Sequence, residues 1–173
     1  MLLKKAEGIF CQNFSKIHVE RGWVLMHLGI VARENGEYKK SFYYFKEALD
    51  IFKTKLPPDH SLISWELMQR ALTYLSIKDY KNATILAEKS YAQFTKTFGT
   101  SSHKVSEAGI KLAEIYIERG QYKKAREILN LSLENLDRYY KTKTSFYHKR
   151  AKDLLFKIRK ISLFSTLWFW LFY

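Results

Sequence analysis

The chain repeats itself every 42 residues, and this limits its fold more than any other feature. A shift of that length sets Trp23 on Trp65, Leu25 on Leu67, and Tyr38 on Tyr80 and then on Tyr122. Gly29, Ala71 and Ala113 coincide, as do Ser41, Ala83 and Ala125. Ala48, Ser90 and Ser132 coincide too, followed four residues on by Phe52, Phe94 and Leu136. Small residues return where small residues stood and large apolar ones where large apolar ones stood. One structural unit therefore recurs at least three times.

The spacing inside each copy is helical. Leu25, Leu28, Gly29 and Ala32 follow the i, i+3, i+4, i+7 pattern of one helix face. After Asn35-Gly36-Glu37 a second stripe runs through Tyr38, Ser41, Phe45, Ala48, Leu49 and Phe52. A small residue midway along each helix lets its partner come close. Gly36 and Gly120 stand where a helix ends in a left-handed residue, and glycine costs least there. Lys78 holds that place in the middle copy, so its turn is expected to be strained or differently made. Pro57-Pro58 ends the second helix, and Asp59 and Ser61 are the N-cap candidates for the next. Each copy is a helix pair that cannot bury both faces alone, so the pairs must stack.

The predicted fold is all-α: a solenoid of antiparallel helix pairs, with three full repeats and a half repeat at each end. The repeats are 19–58, 59–100 and 101–142. Residues 2–18 read as the second helix of an earlier pair, since Ala6 and Phe10 fall on Ala48 and Phe52. Residues 143–160 read as the first helix of a later one, since Leu154 falls on Leu112. The chain thus looks like a length cut from a solenoid, a fragment or isoform, with open ends through which copies could associate.

The strings His27-Leu28-Gly29, Gly36-Glu37-Tyr38-Lys39-Lys40-Ser41, Phe45-Lys46-Glu47-Ala48-Leu49 and Glu118-Arg119-Gly120-Gln121-Tyr122-Lys123-Lys124-Ala125 resemble tetratricopeptide repeats (TPRs). The 42-residue period and the Leu56-Pro57-Pro58-Asp59-His60 link resemble the longer-helix variety of kinesin light chains rather than the ordinary repeat of about 34 residues. The resemblance implies a right-handed superhelix whose first helices line a concave groove for a peptide or helix of another protein. Carried onto this chain, the groove takes Trp23, Met26, His27, Ile30 and Arg33 from the first copy. The second copy adds Trp65, Met68, Gln69, Leu72 and Ser76, and the third Glu107, Ile110, Lys111 and Glu114. The paired asparagines with which such light chains hold a peptide backbone are replaced by Met26-His27, Met68-Gln69 and Ile110-Lys111. Met26 and Ile30 likewise occupy places of the carboxylate clamp used by chaperone-binding repeats. The expectation is instead an apolar shelf of two tryptophans and two methionines; the competing structural reading makes both tryptophans core.

Arg70 is a charge at a repeat position held elsewhere by Leu28 and Leu112, so it needs a carboxylate partner or a path to water. The 30 Lys plus Arg against 17 Asp plus Glu give a net charge of +13. Much of it lies in one block: Arg138, Lys141, Lys143, Lys149, Arg150, Lys152, Lys157, Arg159 and Lys160, opposed within 138–160 only by Asp153. Such a block attracts nucleic acid or an anionic membrane. Yet Tyr147, Ala151, Leu154, Leu155 and Ile158 form an apolar stripe beneath it, as in an ordinary helix with a solvated face. Nucleic acid is the less expected partner, because no zinc knuckle, aromatic sheet signature or helix-turn-helix pattern is present.

No glycine-rich phosphate loop or nucleophile with a base is present, so no enzyme and no cofactor are expected. Cys11 is the sole cysteine and the five histidines follow the repeat, so neither a disulfide framework nor a metal site is expected. His18, His27, His60, His103 and His148 are read as turn or cap residues. Residues 161–173 carry no charge and hold Trp168 and Trp170. At about 1.5 Å per residue they fall short of the roughly 30 Å bilayer core. Three readings stand for this tail: a cap folded back over the open end, insertion into one leaflet, or sequence from an alternative transcript. The functional expectation is a non-enzymatic cytoplasmic scaffold binding another protein, with cytoskeletal or ciliary settings suggested by the resemblance. The alternative is a basic adaptor docking through 138–173.

Overall fold

The computed structural model describes residues 8, 18–142 and 144–172, with side chains through residue 162. Among the described residues there are seven helices and no strand: α1 Val19–Glu34, α2 Tyr38–Lys55, α3 Ser61–Ser76, α4 Tyr80–Phe98, α5 His103–Glu118, α6 Tyr122–Tyr139 and α7 Phe146–Phe172. The expected half repeat at 2–18 lies outside them, His18 and Gly8 apart. The fold is an all-α solenoid class of consecutively packed helix pairs. Residues 1–93 and 94–173 form two compact units.

In the first unit α1 packs on α2, and α3 packs on both. A Cβ added to Gly22 would lie 2.6 Å from the Phe52 ring, and one added to Gly29 would lie 2.7 Å from the Phe45 ring. The higher-numbered glycine faces the lower-numbered phenylalanine, so the pair is antiparallel. Both rings are fully buried, and Leu25, Met26, Leu28, Ala48 and Ile51 are buried around them. The equivalent places hold Ala71 and Ala87 in the second copy and Ala113 and Leu129 in the third, all fully buried. The bulkiest of the three second-helix residues, Phe45, is the one faced by a glycine. At Gly29 close packing leaves no room for a side chain beside that ring. Ser41 Oγ lies 3.2 Å from Thr73 Oγ1, which pairs the polar groups buried between α2 and α3.

The turns within the pairs share one geometry. Gly36 and Gly120 have φ of 74° and 76°, and Lys78 adopts the same left-handed conformation at 62°. In each turn two amides reach back to the end of the helix: Gly36 N to Arg33 O and Glu37 N to Ala32 O, Lys78 N to Leu75 O and Asp79 N to Tyr74 O, Gly120 N to Ile117 O and Gln121 N to Tyr116 O. These are Schellman caps. The middle turn is therefore made like the others, with the strain carried by Lys78. The link after α2 differs from expectation. His60, not Asp59 or Ser61, caps α3, its Nδ1 accepting from the Leu62 amide at 3.2 Å. Its extended backbone leaves Ser61 as the first helical residue.

In the second unit α5 packs on α6, and α7 packs on both. Ala151, Leu154 and Ile158 are buried on the inner face of α7, with Tyr147 and Leu155 half-buried. Ser145 caps this helix from the loop before it, its Oγ accepting from the His148 amide at 3.4 Å. Helix α7 runs unbroken to Phe172. The tail consequently extends the helix along its axis, and the fold-back cap is not formed. Among the described residues no helix is long and apolar enough to cross a membrane.

Candidate functional site

In the first unit α1 and α3 are the first helices of successive pairs and lie side by side. Trp23 on α1 is 49% exposed. Its ring stacks on His27 with centroids 3.9 Å apart, and His27 Nδ1 donates to the Trp23 carbonyl at 2.9 Å. The hydrogen bond holds the imidazole one helical turn on, and the stack then holds the indole against it before any partner arrives. Ile30, a turn further on, is half-buried against the core. Arg33 then bridges to α3, donating to Gln69 Oε1 at 3.0 Å and to the Gln69 carbonyl at 3.4 Å. Glu34 accepts from the opposite side of the same guanidinium at 2.8 and 3.1 Å. A cavity of about 370 Å³ opens beside this row, lined by Val19, Glu20, Trp23 and Val24.

The expected shelf is not assembled as such. Met26 and Met68 are both fully buried, because the face they share with Leu25 and Leu67 is the one pressed into the helix stack. Trp65 is half-buried and packs on the core cluster, and Gln69 is buried beneath Arg33. Leu72 is half-buried and Ser76 exposed. The surface presented by the first unit is therefore Trp23, His27 and Ile30, edged by the Arg33–Gln69 bridge.

In the second unit the groove residues and the basic block meet. Arg150 Nε donates to Glu114 Oε1 at 2.7 Å, and Lys157 Nζ donates to Glu118 Oε1 at 2.7 Å. The Arg150 guanidinium is held even more firmly protonated by its hydrogen bond to Glu114. Tyr147 faces Glu107 across the same seam, and burial, followed by the Glu107 charge, pushes its hydroxyl up to about 12. Lys111 is half-buried and Ile110 buried. Arg150 and Lys157 thus stitch α7 to α5, while Arg138, Lys141, Lys149, Lys152, Arg159 and Lys160 are exposed. Lys143 lies outside the described residues. Lys160 sits over the Phe156 ring, 4.8 Å from its centroid.

The histidines do structural work. His60 caps α3, and His103 stacks on Tyr139 with centroids 4.0 Å apart. His148 is fully buried between Ser145 Oγ at 2.7 Å and Asp137 Oδ1 at 3.0 Å. His18 pairs with Glu20. Among the described residues no group of three His, Cys, Asp or Glu side chains is placed to hold a metal ion.

One titratable residue escaped the reading of the sequence. Glu66 is fully buried, and its Oε1 lies 2.8 Å from Arg70 Nε. The contact is a charge pairing without a well-aligned hydrogen bond. Burial pushes the Glu66 carboxyl up to about 7, against the opposing pull of Arg70 and Lys53. The partner required by Arg70 is therefore one turn back on its own helix. The signal was available, because Glu66 falls on Val24 and Ala108 in the other copies, just as Arg70 falls on leucines.

No curated protein matches the chain. Solved structures do. Repeats described as nearly identical and TPR-like, from a Podosopora anserina kinesin light chain, superpose with a TM-score of 0.65 at 18% identity, covering 95% of this chain and 85% of that one. BtubC (BKLC) from P. vanneervenii gives a TM-score of 0.74 at 18% identity, over 92% of this chain and 62% of that one. The Sgt2 TPR domain from Aspergillus fumigatus gives 0.57 at 23% identity, over 82% and 79%. At these identities the likeness is one of fold. A family model described as tetratricopeptide repeat matches residues 20–92 and again 61–138, more than half of the sequence. With helix pairs that recur at the period of the sequence and close on the same cap, the chain belongs to the tetratricopeptide repeat family.

Proposed function

We propose that this chain is a non-enzymatic scaffold that holds an apolar or aromatic-bearing peptide, or a helix, of another protein against α1 in its first unit. Tetratricopeptide repeats serve generally as protein-interaction scaffolds, and the family supplies the class of function. The narrower reading rests on one observation: Trp23 is half open yet held in place by its stack on His27. A large, rigid, partly exposed aromatic desolvates much area on binding while losing little side-chain freedom. Met26, Met68 and Gln69 support the row from beneath and do not touch the partner. In the second unit, Lys111 and Glu114 are secondary candidates, with Glu114 already engaged by Arg150.

Selecting helical and extended peptides from a displayed library against the immobilised full chain tests this reading. Selected peptides are expected to lose at least about tenfold in affinity for Trp23→Ala, since truncating an interfacial aromatic anchor commonly removes about 2 kcal/mol. Trp65→Ala is expected to lower the melting temperature instead, because its ring packs on the core. Peptides that bind Trp23→Ala as tightly as the parent would refute the site.

A further inference from the structure

Helix α7 presents an exposed outward face, away from α5 and α6 of its own unit. Lys149, Lys152, Phe156, Arg159 and Lys160 lie on it, separated by three or four residues and opposite the buried Ala151, Leu154 and Ile158. Phe156 is 59% exposed at the centre of this face. The cations of the block divide by role. Arg150 and Lys157 are consumed by Glu114 and Glu118 of α5. Lys149, Lys152 and Arg159 make no ion pair among the described residues, and Asp153 is the one acid beside them. The same helix then continues, without a turn, through 161–172, a stretch with no charged residue.

We propose that this face of α7 docks the chain on a bilayer rich in anionic lipid. The lysines and Arg159 would lie at the headgroups, Phe156 would enter the interface between them, and the uncharged continuation would enter one leaflet. The order of features along one helix favours this occupant. Cations followed immediately by an uncharged, aromatic-rich segment match the layering of headgroup and hydrocarbon. Twelve helical residues extend about 18 Å, enough for one leaflet and too short to cross both. A nucleic acid would be attracted by the cations but would leave the uncharged helix in water. A second copy would bring the same cations together, so like charge opposes self-association through this face. The inference is independent of the peptide site on α1.

Co-flotation of the full chain with vesicles of phosphatidylcholine alone, or with three-tenths phosphatidylserine, tests the proposal. Partitioning is expected onto the mixed vesicles only, and is expected to be lost at high salt. Each lysine or arginine near an anionic surface contributes about 1 kcal/mol, roughly fivefold in partitioning. Changing Lys149, Lys152, Arg159 and Lys160 together to Gln should therefore reduce it by about a hundredfold or more. A control of equal net charge, with Lys39, Lys46, Lys89 and Lys96 changed to Gln, should float as the parent does. A chain ending at residue 162 should lose at least about tenfold. Equal flotation on both vesicles, equal loss in the control, unchanged binding of the shortened chain, or retention by a single-stranded RNA in preference to the mixed vesicles would each overturn the proposal.

Discussion

Two residues hold energy that can be measured directly. Glu66 is buried with its carboxyl pushed up to about 7, whereas in an unfolded chain it titrates near 4.5. Between these values the folded state keeps a proton that the unfolded state has lost. Stability from this group is therefore full below about pH 4.5, falls as pH rises to about 7, and is constant above. Glu66→Gln removes the slope. The stability of the variant relative to the parent should rise by up to about 3 kcal/mol between pH 4.5 and pH 8, read from urea midpoints at each pH. A constant difference across that range would show that Glu66 stays charged. Lys78 stores its energy in the backbone. A left-handed non-glycine residue costs roughly 1–2 kcal/mol, and the extra freedom of glycine in the unfolded chain takes back roughly 0.5–1 kcal/mol. Lys78→Gly should therefore stabilise by about 0.5–1 kcal/mol in thermal or urea unfolding. Lys78 and Arg70 break the pattern of the repeat, and this made them legible in the sequence. Glu66 broke it in the same way, at a position shared with Val24 and Ala108, and was missed because it also resembles an ordinary surface glutamate.

At the scale of the helix pair, volume is balanced across the seam. Gly29 can be a glycine because Phe45 fills the space beside it, and Phe45 fits because Gly29 carries no Cβ. Gly29→Ala would place a methyl 2.7 Å from a fully buried ring. Overpacking of this kind costs about 1–3 kcal/mol, more than the roughly 1 kcal/mol of helix propensity that alanine gains. Gly29→Ala should thus destabilise, and Phe45→Leu added to it should recover part of the loss, because the equivalent places of the third copy hold the buried Ala113 and Leu129. Simple additivity in the double-mutant cycle would show the two sites to be uncoupled. The helices and their small central residues were legible because periodicity reports which side of a helix is buried. It does not report how deeply. Met26 and Met68 recur at matching positions, as a binding shelf would, but so does any core residue of a stacked repeat. Only packing separated them from Trp23.

For the whole molecule, the repeat gave the fold class, since a helix pair with two apolar faces has to stack. The functional surfaces were less legible. Glu114 and Arg150 were read into two different sites, yet they form one ion pair between α5 and α7. Sequence distance hid that seam, which is made by residues 36 apart. The uncharged tail left three readings open in the sequence, and its backbone simply prolongs α7. Partner binding at Trp23 is tested most directly by the emission of that indole. In a chain whose other tryptophans (Trp65, Trp168 and Trp170) are changed to phenylalanine, a peptide selected against the parent should shift Trp23 fluorescence to the blue and shield it from acrylamide. A peptide that binds this chain with unchanged affinity while leaving Trp23 emission and quenching as they were would show that its site lies away from Trp23.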